Sequence, residues 1–263
     1  MKQLVKNMPG DFAFIWQFAL DDFKTKYAGS VLGALWAFLQ PMVTIVLYWF
    51  VFQLGFKSQP VDNFPFILWL MAGLVPWFFL SEAVVNATTS LADYSYLVKK
   101  ILFHINILPL AKIISVLFVQ LALIVFAFVC FVIGGRMPGL TCLQIPVYLA
   151  YMLILAAGIS YITATLYVFF KDVLQIVSIV TQIIFWLTPI VWTVESMPAA
   201  VTRVLVFNPV YYVITGFRNA LVYRQWGGQG PGMTVYYWCF ALMLLWTGLK
   251  LFNKCKDHFA DVL

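Results

Sequence analysis

The sequence predicts an all-α membrane protein with six transmembrane helices, and three observations support that fold class. Hydrophobic residues make up 63% of the 263 residues and charged residues only 10%, with a mean hydropathy of +0.94. Long stretches without a charged residue recur along the chain, the first between Lys26 and Lys57. Each stretch can supply the roughly 18–25 apolar residues that cross about 30 Å of hydrocarbon as a helix. A soluble domain of this length could not bury so much apolar surface.

The charge-free stretches define the predicted spans and leave no room for a soluble catalytic domain. We expect residues 1–263 to form a single transmembrane domain. The predicted spans cover residues 32–55, 64–88, 107–134, 145–169, 173–194 and 233–251.

The distribution of basic residues predicts the orientation of these spans. With the N-terminus inside, five of the 16 basic residues lie outside and the other 11 lie inside. Lysine and arginine are enriched in cytoplasmic loops, so both termini are expected in the cytoplasm. This orientation also explains the net charge of +6 without a nucleic-acid partner.

Residues 9–27 precede the first span and are expected to form an amphipathic helix in the membrane interface. Asp11, Gln17, Asp21 and Lys24 lie away from the apolar side of that helix. Phe14 and Phe18 interrupt the polar side, so a plain helical lead-in to the first span is the alternative. The apolar stripe consists of Phe12, Ile15, Trp16, Ala19, Leu20, Phe23 and Tyr27.

The longest inner connection, residues 89–106, contains the predicted coupling segment 90–104. It combines Ser90 at a capping-type position, the pair Lys99-Lys100 and apolar residues such as Leu97 and Ile101. A short amphipathic helix and a solvated turn fit this spacing equally well.

The outer segment, residues 195–226, is apolar but too short to cross the membrane. Its uncharged core runs over residues 204–217, and Asn208-Pro209 interrupts it. Proline disfavours helical geometry at the preceding residue, which predicts two short helices hinged at Asn208 and Pro209. An apolar segment that is too short to cross the membrane is expected to enter the bilayer and leave it on the same side. We therefore expect a re-entrant helix pair before the last span.

The chain lacks the motifs of common catalytic and metal sites. It contains no G-x-x-x-x-G-K-[ST] phosphate loop, no H-E-x-x-H and no G-x-S-x-G, and its four cysteines form no C-x-x-C pair. We therefore predict no catalytic residue, no metal ligand and no cofactor in this chain. Glu82 is the one carboxylate expected at membrane depth, and it is either a functional group or a hydrated structural partner.

Four segments resemble the ABC-2 type polysaccharide-export permeases, the membrane subunits that export lipid-linked O-antigen, teichoic acid or capsular polysaccharide. The first is DFKTKYAGSVLGALWAFLQP at residues 22–41, and the second is LVKKILFHINILP at residues 97–109. FKD at residues 170–172 with TPIV at residues 188–191 resembles the fifth helix of that family. Asn208-Pro209 with Phe217-Arg218 resembles its re-entrant segment. His104 departs from the family pattern, which has proline at that position.

This resemblance implies a permease homodimer in the bacterial inner membrane that works with two copies of a separate nucleotide-binding ATPase. ATP and Mg²⁺ would bind to the ATPase, and the cargo would be an undecaprenyl-diphosphate-linked polysaccharide, with O-antigen favoured. The residues expected to contact the ATPase are Tyr94, Tyr96, Lys99, Lys100 and His104.

Two further groups of residues are predicted to meet the cargo. Lys24 and Lys26 lie at the inner headgroup level, where they could attract a pyrophosphate or serve only to fix topology and bind phospholipid. Flat rings can support the apolar faces of sugars, although aromatic residues also fill ordinary helix contacts. The predicted channel-lining aromatics are Trp36, Phe38, Tyr48, Trp49, Trp77 and Phe78.

Three other functions are compatible with this architecture. A related ABC-2 exporter could carry a small hydrophobic drug or a lipid. A membrane-embedded glycosyltransferase or acyltransferase would need convergent His, Asp or Glu side chains at one leaflet, and the sequence offers few. A passive channel would need no ATPase partner.

Overall fold

A computed structural model describes residues 8–57, 64–99, 104–194 and 197–263, with the side chains of the first helix described from Ala13 onward. This part of the chain is helical and contains twelve α-helices. Several expectations lie outside the described residues: Lys100 and the rest of residues 100–103, the side chains of Asp11 and Phe12, and the start of the outer segment at residues 195–196. The helices are α1 Met8–Tyr27, α2 Trp36–Trp49, α3 Phe66–Thr88, α4 Ser90–Asp93, α5 Ser95–Val98, α6 Ile107–Ile133, α7 Ile145–Phe169, α8 Val173–Leu187, α9 Ala199–Leu205, α10 Pro209–Arg218, α11 Gly230–Cys255 and α12 Phe259–Val262.

Five stretches of the described residues are long and apolar enough to cross a membrane, in agreement with five of the predicted spans. Short 3-10 or π turns extend several of these helices, and one such turn, Asn219–Tyr223, continues α10. The five stretches are Gly33–Gly55, Phe66–Thr88, Ile107–Ile133, Leu140–Phe169 and Gly230–Val262.

The helix in the remaining predicted span, residues 173–194, is shorter than the sequence indicated. Helix α8 has 15 residues and ends at Leu187, which gives it a length of about 22 Å. Thr188 is extended (φ −95°, ψ 137°) because Pro189 follows it and disfavours helical geometry at the preceding residue. The chain therefore leaves the helix early and continues to Val194 as irregular backbone that packs against other helices.

Helix α3 forms the centre of the bundle. Its most apolar window is 78% buried, against 17–50% for the other four candidate spans. Helices α2, α6, α7, α8 and α10 all contact it. Helix α3 runs through the middle of the molecule, so we name the two ends of the molecule after the two ends of this helix. The coupling end carries α4 and α5 after Thr88, and the far end carries the start of α3 and the helix pair α9–α10.

Helix α1 lies along α6. Ala19 is fully buried against Ile107 and Ala111, and Trp16 meets Phe118 edge-to-face, with 4.9 Å between ring centroids. Phe18, which interrupts the polar side of the predicted stripe, packs against the ring of Tyr94 at 4.9 Å. The aromatic residue that interrupts the polar side of α1 thus forms a contact with the coupling segment.

Glycines have two different uses in this fold. Gly29 and Gly33 have φ angles of +86° and +51° and face open space, so they allow the turn between α1 and α2 rather than a close helix contact. Gly158 of α7 and Gly248 of α11 instead allow two backbones to touch. A Cβ on Gly248 would lie 2.7 Å from the carbonyl oxygen of Gly158.

The outer segment folds as two short helices that meet at Asn208 and Pro209, as predicted. Helix α9 and the combined stretch Pro209–Tyr223 are bent by 98° relative to each other. Asn208 caps α10 by accepting a hydrogen bond from the backbone N–H of Val210 at 2.9 Å. Pro209 occupies the first turn of α10, where its missing N–H costs nothing.

Candidate coupling and substrate site

A cluster of three charged residues joins α1, α4 and α6 at the coupling end. The ammonium of Lys112 lies 2.8 Å from Asp22 and 3.1 Å from Asp93. The side chain of Asp22 is 6% exposed and that of Lys112 is 16% exposed. Since a buried charge needs a partner, each of these two groups depends on the other. Helix α1 is therefore fixed to the segment that precedes α6 by the Asp22–Lys112–Asp93 cluster.

Tyr94 completes this cluster from the kink between α4 and α5. Its hydroxyl donates to Asp22 at 2.5 Å, and its ring faces the Lys112 ammonium at 5.0 Å. Burial, together with the hydrogen bond to Asp22, raises the pKa of Tyr94 above its ordinary value. The hydroxyl thus remains a neutral donor at physiological pH.

A second ion pair connects α1 to the central helix. Lys26 contacts Glu82 at 2.6 Å, and Glu82 also accepts from Asn86 at 3.4 Å. Burial lowers the pKa of Lys26, but the Glu82 carboxylate outweighs that effect and raises it, so Lys26 keeps its positive charge at physiological pH. The pairing means that Lys26 offers a ligand less free charge than the exposed Lys24.

A cavity of about 380 Å³ opens beside this ion pair. It lies between the end of α1, the start of α2 and the second half of α3. Lys26, Trp36 and Phe78, three of the predicted cargo residues, line it together with polar groups of Gln40 and Asn86. The cavity therefore places a cation, two flat rings and amides around one space.

The coupling segment is formed by two single-turn helices, α4 and α5, separated by a kink at Tyr94. Leu91 and Val98 are buried, whereas Tyr96 is 58% exposed and Lys99 and His104 are exposed. This alternation favours the amphipathic interpretation of the segment. Of the predicted ATPase contacts, the exposed surface therefore presents Tyr96, Lys99 and His104, while Tyr94 points inward.

The predicted channel-lining aromatics divide into three pairs. Tyr48 and Trp77 pack on Phe185, with ring centroids 5.8 and 5.6 Å away, and so join α2, α3 and α8. Trp36 is 51% exposed and lines the cavity with Phe78. Phe38 and Trp49 are half-buried. Trp49 donates through its indole N–H to Gln53.

The hinge residues form a rigid corner. Besides capping α10, Asn208 donates to the hydroxyl of Thr188 at 2.8 Å, and Tyr151 donates to the carbonyl of Pro209 at 3.2 Å. The corner is thus tied to the end of α8 and to α7. Asn208 and Pro209 fix the angle of the helix pair.

The main site residues that sequence reasoning missed are Asp22, Asp93 and Lys112 as a group, together with Phe185. The three charged residues stand out in the sequence only as charges within an otherwise apolar pattern, and Phe185 does not stand out from the other apolar residues of its helix. Sequence separation gave no indication that these charges meet. In the described ranges, no group of three or more His, Cys, Asp or Glu side chains could hold a metal ion.

Comparison with known proteins agrees with this architecture. A family model described as ABC-2 type transporter matches residues 14–222. The O-antigen export system permease protein RfbA of Klebsiella pneumoniae is 30% identical over 245 residues, which cover 92% of each chain. RfbA of Myxococcus xanthus is 26% identical over 91% of each chain. The polysialic acid transport protein KpsM of Escherichia coli is 23% identical over 90% of this chain and 92% of its own.

The family match covers more than half of the residues. The alignments with the relatives, which are transport permeases, cover about nine tenths of both chains. The resemblance of the four sequence segments is confirmed by both comparisons. The chain is a multi-pass membrane protein and belongs to the ABC-2 type transporter family.

Proposed function

We propose that this chain is the permease subunit of an ABC transporter that exports an undecaprenyl-diphosphate-linked polysaccharide, O-antigen being the favoured cargo, across the bacterial inner membrane. The observation that carries the proposal is the near full-length similarity to proteins named for O-antigen export and for polysialic acid transport. The permease works as a homodimer with two copies of a separate ATPase, which binds ATP and Mg²⁺.

The contacts at the coupling end support the proposed transmission of force. A push on the exposed face of α4 and α5 reaches α1 through the Asp22–Lys112–Asp93 cluster and reaches α3 through Lys26 and Glu82. Ion pairs with such short distances transmit displacement because separating them costs energy. Closure of the ATPase pair therefore moves α1 and the central helix together.

The cavity beside Lys26 supports a role in receiving the lipid-linked glycan. Lys24 and Lys26 supply positive charge for the pyrophosphate, and an unpaired lysine near an anionic headgroup contributes about 1 kcal/mol. Trp36 and Phe78 offer rings to the sugars that follow. The pairing of Lys26 with Glu82 makes Lys24 the stronger contributor to long-range attraction.

The proposal is tested by deleting the gene in its host and restoring it on a plasmid. Loss of surface glycan, its accumulation on the lipid carrier inside the cell, and recovery on complementation are the expected results. An unchanged surface glycan in the deletion strain would contradict the proposal. Co-purification of bound drug or phospholipid without glycan would instead favour an ABC-2 exporter of small hydrophobic molecules, for which the apolar cavity of about 410 Å³ between α3, α7 and α8 is suited.

A further inference from the structure

A separate polar cavity of about 410 Å³ lies at the far end of the bundle. It is bounded by the start of α3, the irregular backbone after α8, α10 and the turn that follows α10. Its volume lies within the range of about 300–1,000 Å³ that is typical of small-molecule sites. Trp69, Tyr211, Thr215, Arg218, Tyr223 and Gln225 supply its aromatic and polar lining.

The wall of this cavity is held by Arg218, which is 6% exposed. Its two terminal nitrogens donate to the carbonyls of Pro189 and Ile190 at 2.6 and 2.7 Å. Its guanidinium carbon lies 3.5 Å from the centre of the Trp69 ring. A Cβ on Gly73 would come within 3.0 Å of the guanidinium, so the glycine leaves room for it. Arg218 therefore positions both Trp69 and the backbone after α8.

The remaining lining groups face the cavity in a regular pattern. Tyr211, Thr215 and Arg218 follow the spacing i, i+4, i+7 and so lie on one face of α10. The opposite face packs through Tyr212 and Phe217 on Tyr148, with ring centroids 5.2 and 6.4 Å away. Within this stripe Arg218 packs against Trp69, whereas Tyr211 and Thr215 are only half-buried and face the cavity.

We propose that this cavity binds a sugar ring of the exported glycan at the far end of the bundle; the inference rests on the proposed polysaccharide export. A sugar presents apolar C–H faces to flat rings and hydroxyl groups to hydrogen-bonding side chains. The cavity offers both, since the half-buried Tyr211 and Tyr223 supply rings and Thr215 and Gln225 supply hydroxyl and amide groups. Trp69, which is 1% exposed and covered by Arg218, supports the wall from behind. Its described lining contains one cation and no acidic side chain, which favours electron-rich hydroxyl oxygens.

The test measures the accessibility of residue 215 with and without glycan. Thr215→Cys is placed in a chain whose four native cysteines have been replaced, and it is expressed with the ATPase in the host. A maleimide is applied to unsealed membranes, so that labelling does not depend on orientation. Membranes from a glycan-producing strain are compared with those from a strain that lacks the first glycan-building transferase. We expect labelling to be several-fold slower when glycan is present.

Val204→Cys on α9 is the matched control, because Val204 is 71% exposed and lies outside the cavity lining. Its labelling rate should be the same in both strains. Gln225→Cys repeats the measurement at the exposed rim if Thr215→Cys fails to accumulate. Equal labelling at 215 and 225 in both strains, or no labelling at either position without glycan, would overturn the inference. If either of these labelling results is found while the unmodified permease still restores surface glycan in the same host, the proposed function stands and only the cavity site is removed.

Discussion

At the scale of single residues, the most consequential group is Lys112. It is a lysine near the start of an apolar helix, and its charge is matched by Asp22 from α1 and Asp93 from α4. Three elements that are distant in sequence therefore depend on one ammonium group. Neutralising it would leave the carboxylate of Asp22 buried without its cation.

Lys112→Met is expected to destabilise the protein by about 3–5 kcal/mol, the usual cost of removing one partner of a buried ion pair. The thermal midpoint of the purified permease–ATPase complex in detergent measures this loss. Lys24→Met, at an exposed position of α1, serves as the matched control and should leave the midpoint almost unchanged. A Lys112→Met midpoint equal to that of the control would show that the cluster contributes nothing.

At the scale of elements, the coupling segment and the bent helix pair show how short helices acquire fixed positions. Neither α4 nor α5 has more than four residues, too few for stability in isolation. Burial of Leu91 and Val98 and the contacts of Tyr94 hold them in place. Their exposed face is consequently held in one conformation, which suits the ATPase contact that we propose.

Charge reversal at Lys99 and Lys100, or Tyr96→Ala, should uncouple ATP hydrolysis from export. The side chains of Lys99 and Tyr96 are exposed, so insertion and assembly of the permease should be normal. ATPase stimulation by the permease and the amount of surface glycan are the two measurements. Lys171→Glu, an exposed lysine expected on the same side of the membrane, is the control. Full stimulation and export in the Lys99/Lys100 variant would remove the coupling role.

The bent pair α9–α10 should enter and leave the membrane on one side. In a chain without native cysteines, Met197→Cys and Trp226→Cys flank the pair at positions that are 41% and 65% exposed. An impermeant maleimide added to intact spheroplasts should label both, because α9 has 7 residues and the stretch Pro209–Tyr223 is bent by 98° from it, so that neither is long enough to cross about 30 Å of hydrocarbon. Labelling of only one position from outside would mean that the pair crosses the membrane.

At the scale of the whole molecule, the spans differ greatly in how much of their surface their own chain covers. The first span, Gly33–Gly55, is 17% buried in its most apolar window, whereas α3 is 78% buried. Its exposed side carries Val43, Val46 and Leu47. A span that packs so little against its own chain is well placed to meet a second copy.

A single cysteine at Val46 should therefore form a disulfide-linked dimer when membranes are oxidised. Val125, exposed on α6, provides the comparison position, where we expect lipid contact and little cross-linking. Non-reducing gel electrophoresis distinguishes the two outcomes. Efficient cross-linking at 125 with none at 46 would place the dimer contact on the other side of the bundle.

Much of the architecture was predictable because the membrane imposes strong rules on sequence. Charge-free stretches located five spans, and Asn208-Pro209 located the corner, since proline restricts its own backbone and that of its neighbour. The extent of α8 was less predictable. Pro189 signals a break, but the apolar residues after it do not show whether the chain resumes a helix.

The sequence by itself determined the all-α membrane fold, the family and the corner between α9 and α10. The fold and the corner depend on composition, hydrophobic length and local backbone restriction, which neighbouring residues specify, whereas the family follows from the resemblance of four segments. Only the tertiary structure decided which charges pair and which rings share a cavity. Lys112 meets Asp22 across 90 residues of sequence, and Trp69 meets Arg218 across 149. Such contacts depend on how whole helices pack, and the packing is the sum of many weak apolar contacts that no local pattern encodes.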